Sequence, residues 1–102
     1  MHLLIEQHRK AISEVCRRHG IRRLEVFGSA ARGDDFDPQH SDVDFLIQLD
    51  PHAHIGLSEY FAAKGELERI LGREVDLVEA SAIRNPYLRA DIDRLRELVY
   101  AA

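Results

Sequence analysis

Three aspartates and a glycine–serine turn are the residues of this sequence best suited to chemistry. Asp42 and Asp44 stand one residue apart at the head of an apolar run, DVDFLIQL (42–49). The period of a strand puts both carboxylates on one face and Val43, Phe45 and Ile47 on the other. Asp76, set between Val75 and Leu77 in EVDLVE (74–79), repeats the arrangement. Carboxylates clustered without cations repel one another, and some then ionise only with difficulty. A divalent metal removes the conflict. A few hard oxygen ligands suit Mg²⁺, which keeps waters and takes its remaining ligands from phosphates. Gly28-Ser29 offers the complementary half. Glycine lets a backbone approach a phosphate closely, Ser29 brings a hydroxyl, and the helix formers after it open a turn whose free N–H groups attract anions. Together these residues predict a triphosphate cradle beside a metal-holding acidic cluster. That is the two-metal logic of phosphoryl-type transfer, with one ion on the nucleotide phosphates and one activating the attacking oxygen.

The flanking elements must bring these residues together. Residues 3–19 predict a helix, with Leu4, His8, Ile12, Val15, Cys16 and His19 on one face and Gly20 as its C-cap. Residues 23–28 predict a strand with Leu24 and Val26 on one face and Glu25 and Phe27 on the other. Loop signals run from Gly33 to Ser41, then comes the strand at 42–49. Residues 57–71 predict a helix between Ser58, a candidate N-cap, and Gly72. A third strand follows at 74–79, with Ser81 a candidate cap of a short turn. Asn85-Pro86 reads as the start of a last helix striped by Leu88, Ile92, Leu95 and Val99. The order is α-β-α-β-α-β-α, an α+β (α/β) class with a small mixed sheet. A helix joins the second and third strands, so they are expected to be parallel. The first must run antiparallel for Gly28-Ser29 to reach the edge that carries the aspartates.

The 102 residues suit one domain, 1–102, with an ordinary globular balance of 45% hydrophobic and 31% charged residues. No apolar run is long enough to span a membrane, no secretory signal is visible, and the one cysteine, Cys16, cannot form an internal disulfide. A cytoplasmic location is the expectation. A net charge of −4 argues against autonomous nucleic-acid binding. His40, His52 and His54 lack the spacing and cysteine partners of a zinc site and read as solvated loop residues. Asp34, Asp35 and Asp37 lack the glycine and distal glutamate of an EF-hand loop.

With Gly28-Ser29, Asp42-x-Asp44 and the later Asp76, the chain resembles the DNA polymerase β-type nucleotidyltransferase superfamily. The form GSAARG…SDVDFLI is most similar to its minimal nucleotidyltransferases (MNT), which pair as antitoxins with HEPN-domain toxins. The resemblance runs through roughly residues 20–102 and implies a polymerase β-like core. It implies that Asp42, Asp44 and Asp76 bind Mg²⁺, two ions in all, with Asp76 helping to activate the acceptor hydroxyl. Gly28 and Ser29 would hold the β and γ phosphates of ATP. Arg32 could touch phosphate or could equally be a solvated helix arginine. The implied reaction moves AMP from ATP to a hydroxyl, a tyrosine of the HEPN ribonuclease in the antitoxins, and releases pyrophosphate. The 30–41 loop is longer than is usual in the family. The chain has room for the catalytic core alone, so a partner or a second copy would complete the acceptor site, through a hetero- or homo-oligomer.

Two rival readings stand beside this one. The chain could be a non-catalytic antitoxin, a binding module that neutralises its partner by contact. It could also modify a small-molecule hydroxyl such as that of an aminoglycoside, although little chain is left to build such a pocket.

Overall fold

The structure, a computed structural model, describes residues 2–32, 42–50 and 56–102, with Ser29 and Arg32 described by their backbones alone. The loop expected at 33–41, with His40 and the three loop aspartates, lies outside the described residues, as do His52 and His54.

The first helix is two. Helix α1 covers Leu3–Gln7 and α2 covers Arg9–His19, with a break at His8 (φ −107°, ψ 11°). The His8 ring hydrogen-bonds the Leu4 carbonyl (2.9 Å), while its own carbonyl accepts from Ile12 N–H and starts α2. At the other end of α1, the N–H of His2 donates to the Ala30 carbonyl (2.8 Å). α1 buries Ile5 fully in the core and packs Leu4, partly buried, against it. Ile12, Val15 and Cys16 follow on the buried face of α2, and Gly20 closes it in the left-handed conformation (φ 72°).

Four strands form one sheet: β1 (Ile21–Phe27), β2 (Val43–Leu49), β3 (Val75–Glu79) and β4 (Glu97–Ala101), in the order β3-β2-β1-β4. β2 and β3 are parallel, and β1 runs antiparallel to β2, as the connectivity requires. The single turn α3 (Ser29–Arg32) follows β1, and α4 (Leu57–Leu71) links β2 to β3. Gly56, not Ser58, is the N-cap of α4, and no side chain caps it. Ser81 lies within a 3₁₀ turn, Ala80–Ala82, rather than capping one. Asn85 does cap α5 (Pro86–Leu95), its side chain accepting from Tyr87 and Leu88 N–H, with Pro86 in the first turn where its missing N–H costs nothing.

The last helix ends sooner than its apolar stripe predicts. It stops at Leu95, and Val99 belongs to β4, which pairs antiparallel with β1. An i, i+4 pair such as Leu95 and Val99 fits a helix, but a short run containing Val and Tyr fits a strand equally well. Here β4 covers what would otherwise be the open edge of β1. The β1–β4 register shifts between Leu24 and Glu25. On α2, Arg9 donates to the carbonyls of Val99 (3.2 Å) and Leu98 (2.5 Å).

One sheet face meets α1, α2 and α4. Leu24, Val26, Val43, Phe45, Ile47, Val75 and Leu77 are buried there with Ile5, Ile12, Ala63 and Leu67. The opposite face carries the alternate residues of the same strands: Arg23, Glu25 and Phe27 on β1, Asp44, Leu46 and Gln48 on β2, and Asp76 on β3.

Candidate active site

Asp44 and Asp76 are direct partners across the parallel β2–β3 ladder, and Asp44 is also opposite Phe27 across β2–β1. The pairing places Gly28, the residue after β1, against Asp44. Gly28 has φ 72°, a left-handed conformation that L side chains rarely adopt. A Cβ built on it would stand 2.7 Å from Asp44 Oδ2. Glycine is therefore required twice here, by the backbone conformation and by the closeness of the carboxylate.

Burial raises the Asp44 carboxyl to a pKa of about 6. A hydrogen bond shared with Asp76 and the negative charges of Asp76 and Asp42 add to the effect. The energy behind this is a like-charge pair on neighbouring strands, half withdrawn from water. Asp42 is exposed just before β2 and acts on Asp44 through its charge. Among the described residues, no group of three or more His, Cys, Asp or Glu side chains is arranged to hold a metal ion. The carboxylates thus form a pair with a charged neighbour rather than a closed cage. The pair fits Mg²⁺, which takes one or two carboxylates and completes its shell with water and phosphate. A cation at the pair is also what would let both carboxylates ionise together.

Of the residues singled out from the sequence, Gly28, Asp44 and Asp76 meet at one edge of the sheet, with Asp42 beside them. The backbone of Ser29 opens α3 directly after Gly28. The backbone N–H groups placed to meet an anion are those around Gly28-Ser29, at the start of α3. Arg32 ends that turn. The Ser29 and Arg32 side chains lie outside the description.

A second group of charges on the same face went unremarked in the sequence. Glu25 is the one buried charged residue among the described ones. Its Oε1 lies 3.0 Å from Arg23 Nε and its Oε2 lies 3.4 Å from Arg96 Nε. The alternation Arg23-x-Glu25 on a predicted strand was a usable signal for the first contact. Arg96 is more than seventy residues distant and only the fold brings it near.

A nucleotidyltransferase domain family matches residues 8–99 of this chain. The protein adenylyltransferase MntA of Thermococcus cleftensis is 33% identical, over 95% of this chain and 88% of that protein. A solved structure assigned as a minimal nucleotidyltransferase superposes with a TM-score of 0.76 at 34% identity, over 95% of both chains. A chain from the structure of a tri-AMPylated Shewanella oneidensis HEPN toxin in complex with its MNT antitoxin shares the fold, with a TM-score of 0.65 at 14% identity, over 96% of this chain and 73% of that one. The polymerase β-like fold, the glycine turn against Asp44 and the match across nearly the whole chain agree, and this chain is a member of the nucleotidyltransferase domain family.

Proposed function

We propose that this chain, acting as one minimal domain, transfers AMP from ATP to a hydroxyl of a partner protein in the cytoplasm. The observation that carries the proposal is the contact between the Gly28 turn and Asp44, with Asp76 paired to Asp44 across the ladder. The Gly28 turn is where a triphosphate can approach the backbone, and the carboxylates are where Mg²⁺ would be held by Asp42, Asp44 and Asp76. Bound there, Mg²⁺ would neutralise the phosphates and make the α-phosphorus more electrophilic. The chain's own residues do the rest. Gly28 and the Ser29 backbone orient the β and γ phosphates so that pyrophosphate can leave. Asp76, the more exposed of the pair, accepts the proton from the attacking hydroxyl. The oxygen–phosphorus bond to the acceptor forms as the bond from the α-phosphorus to pyrophosphate breaks.

The relatives support the rest of the reading. The adenylyltransferase name of the Thermococcus protein favours AMP and a protein acceptor. The Shewanella complex, with its AMPylated HEPN toxin, favours a HEPN-domain partner and an antitoxin role for this chain. A tyrosine is the acceptor we infer, with two Mg²⁺ ions at the site. No helix among the described residues is long and apolar enough to cross a membrane. Incubation with the product of the neighbouring gene, ATP and Mg²⁺, followed by intact-mass spectrometry, tests the proposal. One or more AMP additions to the partner are expected, and none when EDTA removes the metal. A partner neutralised equally well by an Asp42→Asn/Asp44→Asn double variant, with no adduct in any reaction, would show a contact antitoxin instead.

A further inference from the structure

The acidic pair occupies one end of the open sheet face, and a basic cavity occupies the other. Its volume is about 330 Å³, and its lining includes Arg23, Glu25, Leu46, Gln48, Arg89 and Arg96. On β2, Leu46 and Gln48 follow Asp44 by two and four residues on the same face, about 7 and 13 Å along the strand. Arg89, from α5, and Arg96, the residue after it, also line the cavity.

The charges here are built rather than scattered. Glu25 is 8% exposed and spends one oxygen on the Nε edge of Arg23 and the other on the Nε edge of Arg96. A buried carboxylate holding two guanidiniums by one edge orients them and leaves their outer nitrogens available. Those of Arg23 have no other partner among the described residues. Arg96 Nη1 reaches Asp93 (3.2 Å), and Arg89 donates to the Ala80 carbonyl (3.2 Å) with Asp93 3.6 Å from its Nε. Among the described residues, three guanidiniums are thus set against two carboxylates, Glu25 and Asp93. One further carboxylate would balance the group.

We propose that this cavity is an anion subsite on the acceptor side, taking a carboxylate of an acidic peptide segment next to the hydroxyl that receives AMP. The words "acceptor side" rest on the transfer reading above; the affinity for an acidic peptide does not. Guanidinium forks match a carboxylate with two parallel hydrogen bonds. The nucleotide phosphates are assigned to the Gly28 end, which leaves this end of the same face to the acceptor. A net charge of −4 gives the chain no general attraction for polyanions, so selection falls to a local acidic side chain.

The test is an NMR titration of the full ¹⁵N-labelled chain with a capped tetraglutamate peptide, with capped tetraglutamine and inorganic phosphate as separate arms. Tetraglutamate is expected to shift the amides of Arg23, Glu25, Leu46, Gln48 and Arg89 saturably, and tetraglutamine to leave them in place. Arg89→Gln leaves the Glu25 pairs intact and should weaken tetraglutamate binding about tenfold, the loss of one charge-assisted hydrogen bond. An Arg89→Gln spectrum that overlays the parent away from the cavity, with weakened binding, supports the subsite. Arg23→Gln is the second variant, with the same expectation. No saturable shift at these amides, unchanged affinity in both variants, or tighter saturation by phosphate than by tetraglutamate would overturn it. AMP transfer is not needed for this readout, so its failure and that of the proposed function are told apart.

Discussion

The two faces of β2 are made by alternate residues of one strand, and they could hardly differ more. Val43, Phe45 and Ile47 are fully or almost fully buried against helices. Between them, Asp44, Leu46 and Gln48 face a surface with a carboxylate pair at one end and an arginine cavity at the other. Neighbours less than 4 Å apart in the chain thus serve stability and chemistry separately. The lesson is that the strand's apolar face holds the carboxylates in register, so the open face can carry an unfavourable charge pair without loss of the fold.

The sharpest way to break this separation is Asp44→Asn. Transfer should fall by roughly a thousandfold or more if Asp44 is a metal ligand and part of a catalytic unit. The fold should gain stability at the same time. The Asp44 pKa is raised to about 6 in the folded chain, so folding disfavours its charged form. Wild type therefore loses stability as pH rises from about 4 to 6, and the asparagine variant does not. Urea unfolding at pH 7 should show the variant more stable by about 1–2 kcal/mol, with the gap closing below pH 4.

Phe45→Ala tests the other face one residue away. Removing a fully buried phenylalanine should cost about 3–5 kcal/mol. The midpoint of urea unfolding should drop, while any protein still folded keeps its transfer activity per folded molecule.

Gly28→Ala touches both faces' business less severely. Its φ of 72° strains alanine by roughly 1–2 kcal/mol, and the new methyl group must displace the Asp44 carboxylate. Transfer should therefore fall by more than the stability loss alone would give. Equal losses in folded fraction and rate would show that the closeness to Asp44 has no chemical role.

His19→Gln is the smallest perturbation and lies away from the site. Burial lowers the His19 pKa, but the hydrogen bonds that its ring donates to Glu59 (2.6 Å) and Glu66, together with their charges, outweigh it, so it is raised. Glu66 is lowered by hydrogen bonds from Arg18 and His19. The link between α2 and α4 therefore stabilises fully below the unfolded histidine pKa of about 6.5, so long as Glu66 stays ionised, and fades as pH rises through the raised value. Thermal unfolding should show wild type ahead of His19→Gln at pH 6 and the gap narrowing by pH 9. A constant gap would mean that the ring packs there but is not charged.

Much of this was legible in the sequence because it depends on local period and connectivity. The aspartates two apart, the apolar residues between them and the helix joining two strands placed Asp42 and Asp44 on the same sheet edge as Asp76, and the register then pairs Asp44 with Asp76. Gly28 at the end of an antiparallel strand followed from the same topology. What escaped depends on contacts made across the chain. The break at His8 accompanies the tie from His2 to Ala30, and β4 covers the open edge of β1, neither of which local spacing shows. Glu25 was placed on the right face but not with Arg96, which only tertiary packing supplies. The caps show the same limit: Asn85 caps by local geometry, whereas Ser58 loses its place to Gly56 because α4 already starts at Leu57 and Ser58 lies inside its first turn.

The central claim is that the Gly28–Asp44–Asp76 edge transfers a nucleotide to a partner protein. Mixing wild type or Asp44→Asn with the neighbouring gene's product, ATP and Mg²⁺, and weighing both proteins intact, tests it most directly. The account predicts AMP on the partner with wild type and none with Asp44→Asn over the same time. Equal AMP addition by the two proteins would contradict it.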